Sequence, residues 1–272
     1  MSGMAVVVTG ASDGIGRELA VALAARGDRV AIAARRAEAL EEVRAACESA
    51  GGGALVVPTD VGDAAACAEL VRRAVEAFGG LDILVNNAGV SAQGRFDALV
   101  SLDVLERLMR VNYYGAAYCT HAALPHLKRS RGLVVAVSSL QGKLGFPGSA
   151  AYSASKHAMQ GFFDSLRIEL RRDGVDVLVV SPGPVATAIH RRFVGADGQV
   201  VESGPADRTA GMPVDVCAAK ILRAIDRRAR ELVMTPGGKL AVLLRPFLPG
   251  FVDRRLERAV ERFYEDLEGR KG

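Results

Sequence analysis

Short apolar runs alternate with amphipathic stretches along most of this chain. Residues 4–9 are an apolar run that ends at Gly10. Continuous rather than alternating apolarity is the mark of a strand buried on both faces. Residues 15–26 then carry Ile15, Leu19, Ala22 and Leu23 at helical spacing, and Gly27 stops the helix. The pattern repeats. Strands are predicted at 30–33, 55–57, 83–85, 133–137, 175–180 and 231–234, and helices at 38–49, 63–78, 101–127, 151–172 and 213–228. The stretch at 101–127 is expected to bend or end near Pro125. Residues 185–212 show no firm period. Strand and helix in strict alternation, with crossovers long enough for right-handed parallel connections, predict an α/β fold. The expected architecture is a doubly wound, mostly parallel seven-stranded sheet in three layers, as one domain over residues 1–272.

Composition agrees with a globular chain. Of 272 residues, 50% are apolar and 24% charged, enough to bury a sizeable core. The net charge of +4 is mild and spread out, which argues against a nucleic-acid binder. Basic residues are lopsided, with 29 Arg and only 6 Lys, so each lysine merits inspection. Cys47, Cys67, Cys119 and Cys217 have neither C-x-x-C nor zinc-ligand spacing. They read as small buried hydrophobes in a reducing compartment, and no metal is expected. No signal peptide or transmembrane helix is expected, and the expected location is cytoplasmic.

The first candidate site joins the first strand to the first helix: Gly10, Ser12, Asp13, Gly14, Ile15 and Gly16. Glycines allow a tight turn and let a phosphate approach the backbone, while helix N–H groups face it. The spacing is G-x-x-x-G-x-G, and the Lys-Ser/Thr pair of a triphosphate loop is missing. A tight turn alone would also need glycines. The second strand ends at Arg35 and Arg36, where an enzyme preferring an unphosphorylated ribose has an acid. Guanidinium suits phosphate, so NADP(H) is favoured and NAD(H) stays open. Arg36 reads equally as the start of a solvated helix. Asp60 either bonds an adenine amine or caps the next helix.

The second site is Tyr152 and Lys156, one helical turn apart on the same face. A nearby cation favours the phenolate and lowers a pKa that starts near ~10. Such a tyrosine can give a proton to a carbonyl oxygen or take one from an alcohol. A packed tyrosine beside an exposed lysine would look the same in sequence. Ser139 ends the fifth strand, where open sheets place ligands. Asn112 is an amide inside a helical stretch, costly unless it bonds a backbone carbonyl or a water leading to Lys156.

Together these residues resemble the short-chain dehydrogenase/reductase family over residues 4–235. The glycine loop, Asn86-Asn87-Ala88-Gly89, Ser139 with Tyr152 13 residues later, Lys156, Asn112, and Pro182-Gly183-Pro184 with Thr187 occur in the family's order. The resemblance implies a Rossmann fold and hydride transfer between a nicotinamide and a carbinol or carbonyl carbon. It makes Tyr152 the acid/base and Ser139 the group that orients the substrate oxygen. Lys156 would hold the ribose and lower the tyrosine pKa, and Asn112 would position a relay water. The implied cofactor contacts add Val61, Asn87, Ala88, Gly89, Tyr152, Lys156, Pro182, Gly183, Val185 and Thr187. Asp13 departs from the pattern, because many NADP-preferring members are basic there and a carboxylate repels a 2′-phosphate.

Within the family, the stretch from Gly148 to Leu166 resembles the branch of the eleven-beta-hydroxysteroid dehydrogenases and the dehydrogenase/reductase seven-B members. Their N-terminal membrane anchor is not expected here. The branch implies a bulky apolar, steroid- or lipid-like alcohol or ketone. A 3-oxoacyl-thioester reductase of fatty-acid synthesis and a catalytically idle nucleotide-binding scaffold are the alternatives. The family places a substrate lid at 185–212, here with Ile189, His190, Phe193 and Val194. Its members form homodimers or homotetramers through the helices at 101–127 and 151–172. The apolar tail, about 237–266, is atypical. It could cover the substrate pocket, pack between subunits or rest on a membrane surface, the last being the least expected.

Overall fold

The computed structural model describes residues 3–187, 192–194, 200–202 and 211–268. Seven strands form one parallel sheet: β1 (Ala5–Thr9), β2 (Arg29–Ala34), β3 (Ala54–Pro58), β4 (Ile83–Asn86), β6 (Leu133–Val137), β7 (Asp176–Ser181) and β10 (Glu231–Val233). Their order is β10-β7-β6-β4-β1-β2-β3. The strand order reverses between β1 and β4, which pair in parallel through Val6 with Ile83. Open α/β sheets bind ligands outside the carboxyl ends of strands at such a switch point.

Side chains alternate across the strands and feed two core layers. On one face Val6, Val8, Ile32, Val135 and Val180 pack with Leu19, Leu40 and Ile221. These come from helices α1 (Gly14–Ala25), α2 (Ala37–Ser49) and α7 (Val214–Asp226). On the other face Val7, Ala31, Leu84 and Val134 pack with Leu70, Leu127 and Phe163. These belong to α3 (Ala64–Phe78), α5 (Gly115–Ser130) and α6 (Ala150–Glu169). The predicted three-layer arrangement is therefore observed.

Three features differ from the expectation. The stretch at 101–127 is not one helix bent at Pro125. It comprises α4 (Asp103–Leu108), a π-helical turn (Met109–Tyr114) and α5, which runs past Pro125 to Ser130. Second, a small sheet joins β5 (Ser91–Ala92), β8 (Arg192–Val194) and β9 (Val200–Glu202), the last two within the aperiodic stretch. Third, the atypical apolar tail is folded into two helices, α8 (Pro236–Leu244) and α9 (Pro249–Glu268). Ile189, His190 and most of the expected lid lie outside the described residues, so only its flanks and two short strands can be placed.

Candidate active site

The loop after β1 is locked to the loop after β4 by hydrogen bonds. Thr9 Oγ1 donates to the Val85 carbonyl at 3.2 Å and accepts from the N–H groups of Asn87 and Ala88 at 3.0 and 3.1 Å. Asn87 Nδ2 returns to the carbonyls of Thr9 and Gly10 at 3.0 and 3.1 Å. Gly10 and Gly14 have φ of +65° and +56°. A Cβ on Gly10 would come within 2.7 Å of the Ala88 Cα. Only glycine fits this close approach.

The ends of β6 and β7 are joined in the same way. Ser138 N–H donates to the Val180 carbonyl and Leu140 N–H to the Pro182 carbonyl, both at 2.8 Å. This fixes Ser139 between them. Its hydroxyl oxygen accepts from the Gln141 N–H at 3.1 Å. Tyr152 and Lys156 project from the first two turns of α6, and Lys156 Nζ donates to the Val137 carbonyl at 3.1 Å. The ammonium lies 5.9 Å from the centre of the Tyr152 ring.

A cleft of about 430 Å³ runs over these strand ends. Ser12, Asp13, Ile15, Arg35, Arg36, Asp60, Val61, Asn87, Ala88 and Gly89 line it with Gly10 and Gly14. Ser139, Tyr152, Lys156, Pro182, Gly183, Val185 and Thr187 line it as well. Two predicted residues stand behind its wall. Gly16 is buried, and a Cβ there would come within 2.4 Å of Asn87 Nδ2 and the Gly10 carbonyl. It therefore acts through close packing. Asn112 is fully buried in the π-helical turn. Its amide accepts from the Val90 N–H at 2.8 Å and donates to the Val90 carbonyl and Ser155 Oγ, each at 2.9 Å. Of the two options open from sequence, the backbone bond is the one seen, with the Ser155 hydroxyl as a further partner.

Asp13 caps α1 by accepting from the Gly14 N–H at 2.7 Å. Asp60 accepts from the Gly62 N–H at 2.9 Å, while Asp63 caps α3. Asp60 thus braces its own turn and also borders the cleft. Arg107 was not anticipated from sequence. It lines the cleft with Val111, one helical turn later on the same side of the chain. That spacing was the available signal. Leu140 and Phe146 line it as well.

Titration differs from expectation. Burial pushes the Tyr152 phenol up to about 12, and the hydrogen bond with Ser139 only partly offsets this. Burial also lowers the Lys156 ammonium to about 8. In this arrangement desolvation outweighs the expected lowering of the phenol by its neighbour.

The profile of the family described as short chain dehydrogenase matches residues 4–196. A dehydrogenase/reductase family member 7B of Bos taurus is 41% identical over 262 residues, covering 92% of this chain and 79% of its own. An 11-beta-hydroxysteroid dehydrogenase-like 2 of Arabidopsis thaliana is 31% identical, covering 94% and 82% respectively. An alcohol dehydrogenase from the archaeon Thermococcus sibiricus, solved with 5-hydroxy-NADP, superposes with a TM-score of 0.74 at 27% identity. It covers 85% of this chain and 95% of its own.

Proposed function

The chain belongs to the short chain dehydrogenase family, and from that premise we propose that it transfers a hydride between NADP(H) and a bulky apolar secondary alcohol or ketone. The observation that carries this reading is one cleft lined at once by the glycine cradle and by Ser139, Tyr152 and Lys156. The structure fits a dinucleotide where it is most demanding, since the cradle between Gly10 and Ala88 would be filled by a single Cβ. The residues from Gly10 to Gly14, with Asn87, Ala88 and Gly89, would hold the pyrophosphate and its riboses. Arg35 and Arg36 would hold a 2′-phosphate, and Asp60 and Val61 the adenine. Pro182, Gly183, Val185 and Thr187 would border the nicotinamide. When bound, that group supplies or accepts the hydride.

The remaining work belongs to the chain's side chains. Tyr152, with its phenol near 12, is protonated at neutral pH and can donate to a carbonyl oxygen. In the opposite direction it must take the alcohol proton, and the Lys156 ammonium favours the phenolate that does so. Ser139 uses its acceptor side on Gln141 N–H, and its proton, turned toward the Tyr152 phenol here, is the one it would offer to a substrate oxygen between them. Asn112 holds Val90 on the cleft wall through both backbone groups. The 11-beta-hydroxysteroid dehydrogenase-like relatives and the apolar wall residues Leu140, Phe146 and Val90 support an apolar substrate. The family resemblance extends the reading to a homodimer or homotetramer.

Tyr152→Phe tests the reading. Ketone-dependent NADPH oxidation should fall by at least about 100-fold, while NADPH binding by fluorescence is retained. Retained turnover would remove Tyr152 from the chemistry.

A further inference from the structure

After β10 the chain leaves the sheet and forms the helical pair α8 and α9. Thr235 caps α8 by accepting from the Gly238 N–H at 3.1 Å, and Pro236 occupies its first turn. Gly238 is seated so closely that a Cβ would come within 3.0 Å of Leu140, a cleft residue. Val252 in α9 is 2% exposed. The Gly238 contact holds α8 to the body of the protein, and α9 packs on α8.

Its other face is open. Leu240, Leu243, Phe247, Leu248 and Phe251 are between 44% and 78% exposed. Leu240, Leu243, Phe247 and Phe251 recur at spacings of three and four. The row crosses the junction of the helices because Leu248 N–H bonds the Leu244 carbonyl and Val252 N–H bonds the Leu248 carbonyl. Single exposed hydrophobics are ordinary on a surface, but a contiguous row marks an interaction site.

The polar residues around this row have a definite sign. Beside the row, from Pro236 to Arg258, there are five cations, Lys239, Arg245, Arg254, Arg255 and Arg258, against two anions, Asp253 and Glu257, while the acids Glu261, Glu265, Asp266 and Glu268 follow beyond it along α9 with Arg262. Arg255 lies over the Phe251 ring at 5.6 Å, which places a guanidinium directly beside the apolar row. The five cations beside the row are exposed except Arg245, which is half-buried near Asp253 at 3.9 Å. Among the described residues no helix is long and apolar enough to cross a membrane.

We propose that this face of α8 and α9 docks on the surface of an anionic lipid bilayer. The leucines and phenylalanines enter the boundary between headgroups and acyl chains, and the basic side chains meet the lipid phosphates. Attachment is peripheral. A second copy of the chain suits the surface less well, because a two-fold contact would set the cation-rich band against itself. The docking face adjoins the cleft through the contact of Gly238 with Leu140.

The test uses the full chain without substrate or cofactor, so its result is separate from the proposed oxidoreductase activity. Wild type is sedimented with phosphatidylcholine vesicles that do or do not contain phosphatidylserine. Arg254→Glu/Arg255→Glu and Leu243→Ser/Phe247→Ser are compared with it after circular dichroism shows both folded. Wild type should partition onto the anionic vesicles, less so as salt is raised. Each double variant should lose at least about tenfold in partitioning. Failure of wild type to bind anionic vesicles would overturn the proposal, as would equal binding by all three proteins. A Leu243→Ser/Phe247→Ser variant that dissociates an oligomer in light scattering, with no vesicle binding by wild type, would assign the face to a subunit interface instead.

Discussion

Arg35 stands at the carboxyl end of β2, exposed, on the rim of the cleft. No acid forms an ion pair with it among the described residues, so its fork of donors is available to a phosphate. Asp13, the carboxylate that weighed against NADP(H), is engaged in capping α1. Arg35→Ala should therefore weaken NADPH by roughly tenfold to a hundredfold, the value of a charged hydrogen-bonded contact. NADH affinity should stay nearly constant, and fluorescence titration of both cofactors measures the difference. An equal loss for both would mean that Arg35 does not read the phosphate. The residues legible in sequence were those whose chemistry is local to a strand end, such as the glycine loop, Asn87, Ser139, and Tyr152 with Lys156. Arg107 escaped because its place depends on how α4 is brought to the cleft. The titration of Tyr152 escaped for a related reason: the sequence shows its neighbour at four residues' distance but not the burial that raises the phenol.

The first turn of α1 holds a glycine, Gly16, whose purpose is packing. In an open helix position, replacing Gly by Ala gains stability, about 0.5–1 kcal/mol. Gly237 in the first turn of α8 has no atom within 4 Å of its would-be Cβ, and Gly237→Ala should give a small gain of this sign. At Gly16 the same change meets Asn87 Nδ2 and the Gly10 carbonyl at 2.4 Å. Backbone cannot yield as a flexible side chain does, so Gly16→Ala should cost on the order of 1–3 kcal/mol and weaken NADPH binding as well. Urea unfolding of the two variants reads the opposite signs; a gain at Gly16 would show that the loop relaxes freely. Periodicity placed the seven strands of the main sheet because each is a short apolar run between helices. It could not place the π-helical turn, since inserting one residue into a turn leaves the apolar pattern nearly intact. The buried amide of Asn112 was the trace it left. Strands β8 and β9, three residues each, are too short to show alternation.

For the whole molecule, the scarce lysine has a cost in stability. Lys156 is 2% exposed and its ammonium is lowered to about 8 by desolvation, against an ordinary value of 10.5. A folded-state pKa below the unfolded one means that, for this basic group, the unfolded chain binds more protons between those values. Its contribution is thus unfavourable and constant below about pH 8, and the penalty is relieved as pH rises toward 10.5. Tyr152 has the opposite sign, because its raised pKa costs stability only as pH climbs from about 10 to about 12. The two windows barely overlap, which leaves the interval from pH 8 to 10 to the lysine. Other groups titrate there too, so the informative quantity is the difference between wild type and Lys156→Met. At pH 7 the variant, which replaces a buried charge by an apolar chain of similar length, should be the more stable protein while losing oxidoreductase activity. By pH 9.5 wild type should have recovered about 2 kcal/mol relative to it. Chemical denaturation of both proteins at the two pH values measures this. If the unfolding is one cooperative transition, the whole fold registers the change at one side chain. A stability difference that does not move with pH would show that Lys156 keeps its charge throughout, held by the Val137 carbonyl and its surroundings.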